Sequence, residues 1–473
     1  MKKYQKKVNT ILVKKGDYVL QGQSLIKCKN FDTTPIHAPT SGEIIKIENL
    51  NFENYIQKNI YIKSDYKNQL YPTKNLSNYH QYSRKKILSK IQQSGIIGLG
   101  GSGYPTAKKI KNSKKTKIFI INAVECDPYV TKDHCLIHNK TKEIIKGILI
   151  FKYLLNPSKI LIGINDNNKK SIFLLKKELK KYKTKIEIHI IKNCYPFGNE
   201  KQLIEILTKK QVPSNKYPNS IGILVQNINT ILSTYNAIFK GRPLTHITIS
   251  IYGNLIKKPG NYLVPIGTPI NFLLNEVGLK KTEIQDIILD GFFMGKKINN
   301  LSIPIFKNNH SIIAFQKNKK TKKKMEELPC INCNLCSQVC PINLLPQHLY
   351  RLIQHKKHKE THQYHLLDCI ECNACTYVCP SRIQLVKYYK NEKKIIKKKL
   401  KEKEFNSLTK KRFEKKQNRL LKNDIFISKE KNKSIIDDDY INKNSSNDKY
   451  KSIVSKAIKR ARLKKVNIKI KTK

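Results

Sequence analysis

The sequence predicts a multidomain chain of mixed α/β and α+β class, and three observations carry that prediction. Four apolar runs (KIFIINAV, KILIGIN, KIEIHII and IGILVQN) alternate with amphipathic stretches such as KKSIFLLKKELKKY and EKQLIEILTKK, the pattern of a mostly parallel sheet covered by helices. On either side lie short β-branched runs broken by Gly and Pro turns. Eight of the twelve cysteines crowd between Cys330 and Cys379, which marks a separate ligand-holding module. A length of 473 residues is ample for several cores, at roughly 100–200 residues per domain.

Taken in order, residues 1–70 read as short strands, VKKGDYVLQGQSLIK and then IHAPTSGEIIKIEN. The pairs Gly16-Asp17 and Ser41-Gly42 are hairpin signals. The segment resembles the small barrel-sandwich of biotinyl and lipoyl carrier domains, but no Met-Lys-Met carrier turn stands near Cys28 to Thr34. It is expected to be structural rather than a swinging arm. Residues 80–240 hold the α/β alternation, and 241–320 return to short strands (THITISIYGNLIKKPGNYLVPIGTPI) as a compact β-rich module. The cysteines occupy 321–385. Residues 386–473 form a basic tail, expected to be partly helical or disordered.

Lys and Arg number 93 against 34 Asp and Glu, a net charge of +59. Lysine is spread along the whole chain and Trp is absent, which speaks for compositional bias rather than a nucleic-acid patch. No aromatic platform interleaves with the basic residues, so nucleic acid is not an expected partner. An anionic membrane surface suits the charge better. No apolar run reaches ~18 residues; IIKGILIFKYLL is cut by Lys146 and Lys152. The start MKKYQKKVNTILVKKGD does not read as a signal peptide. A cytoplasmic chain with peripheral membrane contact is expected.

The cysteines fall into two groups, Cys330, Cys333, Cys336, Cys340-Pro341 and Cys369, Cys372, Cys375, Cys379-Pro380. Both follow C-x2-C-x2-C-x3-C-P, the bacterial ferredoxin spacing, in which the fourth cysteine serves the other cluster. The expected ligand sets are therefore Cys330, Cys333, Cys336 and Cys379 for one 4Fe-4S cluster, and Cys369, Cys372, Cys375 and Cys340 for a second. Tetrahedral zinc would not require a third cysteine at this spacing and a Cys-Pro, twice over. Cys28, Cys126, Cys135 and Cys194 match no motif and read as ordinary thiols.

Upstream, GIIGLGGSGYPTAKKI places Gly98, Gly100, Gly101 and Gly103 just before a helical segment, where backbone amides can approach a phosphate and Lys109 can complete an anion site. Three further elements follow strands or open helices: Asn122 to Tyr129 with Glu125 and Asp127, Tyr195 to Gln202 with Glu200, and Val225 to Thr230 with Asn227. Ligands of open α/β sheets bind at such strand ends.

GxGGxGxPTxxK, NAxExxP, YxxGxEK and VxNxxT, in this order, resemble the flavin- and NADH-binding subunit of respiratory complex I. With the preceding barrel, the β-rich module and the doubled cysteine framework, residues 5–385 are more similar to the RnfC (or RsxC) family, a component of the Rnf (Rsx) ion-translocating electron transport complex. The resemblance implies a parallel-sheet flavin domain, a β-grasp-like module and a ferredoxin-like helical module. It implies FMN on Gly98, Gly100, Gly101, Gly103, Lys109, Asn122 and Asn227, and NADH near Tyr104, Glu125, Asp127 and Glu200. It also implies integral membrane partner proteins, a place on the cytoplasmic side of a bacterial inner membrane, and translocase activity in the assembled complex. Leu99, Cys126 and Asp127 depart from the complex I pattern. A soluble NADH reductase with its own clusters, and a basic nucleic-acid-binding cluster protein, are the alternatives.

Overall fold

The computed structural model describes residues 9–28, 30–52, 55–113, 115–280, 285–316, 326–444 and 454–459. Contacts divide the chain into Met1–Lys393 and Lys394–Lys473.

The N-terminal strands are β1 (Asn9–Ile11), β2 (Tyr18–Val19), β3 (Ser24–Cys28), β4 (Ile36–His37), β5 (Gly42–Phe52) and β6 (Tyr55–Ser64). They form two three-stranded sheets, β1-β3-β4 and β2-β5-β6. Val13, Val19, Leu25, Ala38 and Ile44 fill the space between them. The expectation of a hairpin at Ser41-Gly42 is corrected: Gly42 begins β5, and that strand pairs with β6 across Phe52↔Tyr55. A Cβ on Gly42 would lie 2.0 Å from the Lys63 carbonyl, so glycine is needed there for cross-strand approach, not for a turn.

Next come α1 (Arg84–Gln93), α2 (Thr106–Lys111), β7 (Ile118–Ala123), α3 (Lys132–Leu155), β8 (Lys159–Asn165), α4 (Lys169–Leu179), β9 (Glu187–Ile191), α5 (Glu200–Thr208), β10 (Ile223–Asn227) and α6 (Ile228–Phe239). The four strands are all parallel, in the order β10-β7-β8-β9. Alternation along β7 sends Phe119 and Ile121 to a core shared with α1, α3 and α6, and Ile120 to a second core against α5. Burial on both faces explains why these strands read as continuous apolar runs. The chain runs outward from β7 through β8 to β9, then returns to place β10 on the other side of β7. The sheet therefore has a topological switch point between β7 and β10.

The β-rich module consists of β11 (His246–Tyr252), β12 (Gly260–Pro265), α7 (Ile270–Glu276), β13 (Gln285–Leu289), β14 (Lys296–Ile298) and β15 (Ser311–Gln316), with sheet order β12-β11-β15-β13-β14. Ile97 and Leu99, which flank Gly98, are buried in this module's core beside Ile249 and Ile312. The glycine segment is thus pinned between two domains, and the apolar Leu99 is explained by packing.

Lys307 of the β-rich module is buried and donates from Nζ to the Pro35 carbonyl (2.6 Å) and the Gly95 carbonyl (2.9 Å). Burial lowers its ammonium to about 7. Burial and the neighbouring Lys307 charge hold the buried His37 down to about 3. Below pH 6.5 the unfolded imidazole binds a proton that the folded one refuses until about pH 3, so stability is lost as pH falls through that window. Hydrogen exchange at residues 36–38 is expected to show the opening free energy falling as pH drops from 6.5 to 5, with a slope that steepens toward about 1.4 kcal/mol per pH unit. His37→Phe should flatten that slope, and an unchanged slope would place the titration elsewhere.

Short helices and one long one complete the described residues: α8 (Leu335–Gln338), α9 (Pro346–Gln354), α10 (His358–Gln363), α11 (Ala374–Tyr377) and α12 (Leu385–Asn444). The described part of the tail is mainly the long α12, consistent with its high content of Lys and Glu, which are good helix formers. The rest of the tail expectation, 445–453 and 460–473, lies outside the described residues. Among the described residues no helix is long and apolar enough to cross a membrane.

Candidate functional site

The two cysteine loops have the same backbone. Asn332 and Asn334 in the first, and Glu371 and Asn373 in the second, adopt left-handed conformations (φ 57°, 62°, 58° and 65°). Asparagine tolerates that region because its short polar side chain bonds locally. The curl brings each run of three cysteines around a cavity and sends the fourth cysteine to the other one. Cys330, Cys333, Cys336 and Cys379 line one cavity, and Cys340, Cys369, Cys372 and Cys375 line the other. Cys340 Sγ accepts from the Leu344 amide (3.3 Å) and Cys369 Sγ from the Glu371 amide (3.4 Å).

Among the described residues, no three His, Cys, Asp or Glu lie close enough to hold a single metal ion. Four thiols ring each cavity, the donor number that a four-iron cluster takes. The second cavity is also walled by Leu349, Val386 and Tyr389. In this apolar setting burial, reinforced by the neighbouring thiols, pushes the Cys375 thiol up to about 12. A cationic cluster would offset that cost, because a coordinated thiol is deprotonated by the metal's own charge. The donor set therefore fits iron–sulfur clusters.

At the other site, Asn122 is the last residue but one of β7, Asn227 ends β10, and the two are register partners, so they flank the switch point. The Gly98–Gly103 loop arches beside them. The amides of Gly98 and Gly103 bond to the carbonyls of Tyr104 and Gly98 (2.9 and 3.0 Å), and the Leu99 amide donates to Thr230 Oγ1 (2.9 Å). The crest at Gly100 to Ser102 is the part left to meet a ligand. A Cβ on Gly100 would lie 3.1 Å from Asn227 Cβ, so the loop backbone comes close against Asn227 here. Asn122 Nδ2 donates to the Gly198 carbonyl (2.9 Å). Asn227 caps α6 by accepting from the Asn229 amide (2.9 Å), and its Nδ2 donates to Asp133. The helix after the glycine loop, α2, has six residues and no side-chain cap, so the expected helix-terminus field is weak.

Lys109 and Glu200, assigned by resemblance to different ligands, are paired at 2.7 Å, and Lys109 Nζ also donates to the Val225 carbonyl (2.8 Å). Glu125 turns inward and accepts from the amides of Asp133 (2.8 Å) and His134 (3.1 Å) at the start of α3. Burial and the neighbouring Asp133 carboxylate push the Glu125 carboxyl well up, while burial holds His134 down to about 4. His134 Nε2 lies 3.3 Å from Glu125 Oε2. Asp127 Oδ1 accepts from the Phe292 amide (2.8 Å). Tyr104 is half-buried with the Lys108 ammonium 5.8 Å above its ring.

Sequence reasoning missed the atoms that most directly point to an absent ligand. Asp133 Oδ1, Gln226 Nε2 and Asn229 Nδ2 are buried without a partner, next to Asn227 at the switch point. A polar ligand in the crevice would satisfy such atoms. Gln226 and Asn229 could have been found from their place beside Asn227 at the strand end; Asp133 carried no local signal. Also missed was the seam to the cysteine module, where Tyr195 Oη donates to the Cys372 carbonyl (2.6 Å) and Lys201 approaches Asp368 (3.6 Å).

A flavin crevice at a switch point, joined to paired cysteine cages, defines a flavin and iron–sulfur electron-transfer protein. Family models agree: residues 91–236 match the Nuo51 FMN-binding domain, 1–67 the RnfC barrel sandwich hybrid domain, and 314–383 the 4Fe-4S dicluster domain. The C component of the ion-translocating oxidoreductase complex of Buchnera aphidicola (subsp. Acyrthosiphon pisum, strain APS) is 40% identical over 435 residues, 89% of this chain and 91% of that relative. The chain belongs to this RnfC family of ion-translocating oxidoreductase components. The Haemophilus influenzae (strain PittEE) member is 38% identical over 425 residues, which cover 65% of its length. The Pectobacterium carotovorum member (strain PC1) is 38% identical over 387 residues, or 51% of its length. A looser likeness, TM-score 0.46 at 16% identity, links 68% of this chain to 56% of a chain of NAD+-reducing [NiFe]-hydrogenase. Neither the stand-alone reductase nor the nucleic-acid reading finds support among these relatives.

Proposed function

We propose that this chain accepts electrons from NADH at an FMN site and passes them through two 4Fe-4S clusters to integral membrane partners, so coupling electron transfer to ion translocation. Its place is the cytoplasmic side of a bacterial inner membrane, held there peripherally. FMN, when bound, lets a two-electron donor serve one-electron acceptors. The glycine crest with Asn122, Asn227 and Lys109 holds the flavin. Tyr104 and Glu200 border the nicotinamide's approach; behind it, Glu125 orders the start of α3 and Asp127 holds the Phe292 backbone. Cys330, Cys333, Cys336 and Cys379 hold one cluster; Cys340, Cys369, Cys372 and Cys375 hold the other, on the side that meets the α/β domain. The domain limits 1–70, 80–240, 241–320, 321–385 and 386–473 belong to the same reading, with 241–320 as a β-grasp module and 321–385 as a ferredoxin-like one.

The observation that carries the proposal is the loop Cys369–Cys375, which both rings a cavity and bonds through Cys372 to Tyr195 of the α/β domain. The test is anaerobic purification followed by counts of iron, sulfide and flavin per chain, and then addition of NADH. About eight irons and eight sulfides are expected for two four-iron centres, with flavin and cluster absorbance bleaching together. Zinc in place of iron, or bleaching by dithionite but not by NADH, would sink the cluster and nicotinamide parts respectively.

A further inference from the structure

The loop Gly291–Gly295 (GFFMG) lies in the β-rich module, between β13 and β14, and no motif singled it out. Its shape is tightly determined. Gly291 has φ 100°, and a Cβ there would lie 2.6 Å from Asp127 Oδ2, while one on Gly295 would lie 2.0 Å from the Gly291 carbonyl. Asp127 holds the loop from the α/β side through the Phe292 amide (2.8 Å). So held, Phe293 stands between two aromatic rings from different modules. Its ring is 4.5 Å from that of Tyr195 and 5.1 Å, edge-on, from that of Tyr377. Its carbonyl accepts from Asn373 Nδ2 (2.6 Å). Tyr195 in turn donates to the Cys372 carbonyl.

We propose that Phe293 is a positioning residue: it wedges the second cysteine loop, Cys369–Cys375, against the α/β domain and keeps water out of the seam between them. Three modules meet at this one side chain, and the loop it braces is the one that reaches the α/β domain. A cluster site facing the flavin domain needs a fixed distance and a dry boundary, because exposure and hydrogen bonding set both the lability and the potential of such centres. The proposal rests on the reading of Cys340, Cys369, Cys372 and Cys375 as one cluster's ligands.

The test uses the anaerobically prepared full chain. Phe293→Ala removes the two aromatic pairs that cross the seam, with Tyr195 and Tyr377, which amounts to about tenfold in a local opening equilibrium. Iron release to a chelator is therefore expected to become about tenfold faster for one half of the bound iron, with the other half unchanged. Amide exchange at 372–377 and 195–198 should rise together, and the midpoint potential of one cluster should move while the other stays. Phe293→Tyr should restore all three. Asn373→Gly keeps the left-handed backbone but removes the bond to the Phe293 carbonyl, and should give a smaller change of the same kind. If Phe293→Ala holds full iron yet both halves leave at the original rate and exchange is unmoved, the wedge is refuted. A wild-type chain without iron would instead refute the cluster reading beneath it.

Discussion

Replacing Cys375 with alanine is expected to halve the iron and sulfide bound per chain while flavin binding persists. Cys375 is 8% exposed and stands among apolar walls, so the remaining three thiols cannot recruit water easily as a fourth donor. The other cavity keeps its own four cysteines. The informative partner variant is Cys340→Ala. Cys340 belongs by sequence to the first loop but lines the second cavity, so its loss should remove the same cluster's spectrum as loss of Cys375. Cys379→Ala should likewise remove the same cluster as Cys330→Ala. Electron paramagnetic resonance of the reduced variants reads the pairing directly. If Cys340→Ala and Cys330→Ala lost one and the same signal, each loop would hold its own cluster and the crossed assignment would fail.

The crossed lining of the two cavities was legible because cysteine spacing is local: the short run of each loop decides its curl, and the Cys-Pro at its end sends the fourth thiol away. The parallel sheet was legible for a related reason, since burial on both faces leaves apolar runs that no surface strand carries. What the sequence hid was long-range or ambiguous. Ser41-Gly42 looks like a turn because glycine serves turns most often, yet Gly42 is there to clear the Lys63 carbonyl. Leu99 looked like a departure from a flavin motif until its burial beside Ile249 and Ile312 appeared. Phe293 meets Tyr195 and Tyr377 only through tertiary contact, and nothing in GFFMG announces partners so distant along the chain. Lys109 and Glu200 were assigned to separate ligands, and their mutual pairing could not be read from either motif.

Glu125→Ala is expected to cost about 1–3 kcal/mol, the penalty for leaving buried donors unpaired, and to weaken flavin retention rather than to act on NADH alone. The carboxyl group meets the Asp133 and His134 amides at the start of the 24-residue α3, where those donors have no intrahelical acceptor. Asp133, on that same first turn, accepts from Asn227, which stands against Gly100 of the glycine loop. A loosened turn therefore loosens the crevice. Glu125→Gln is not a silent control, since its amide nitrogen must face one of the two N–H donors; Glu125→Asp, too short to reach both, should fall between. The measurements are thermal midpoint with and without FMN, and KM for NADH with ferricyanide as acceptor. A residue that only contacts nicotinamide would raise KM and leave the midpoint where it was. A buried helix cap lowers the midpoint in the flavin-free protein too, and that result alone separates the two roles.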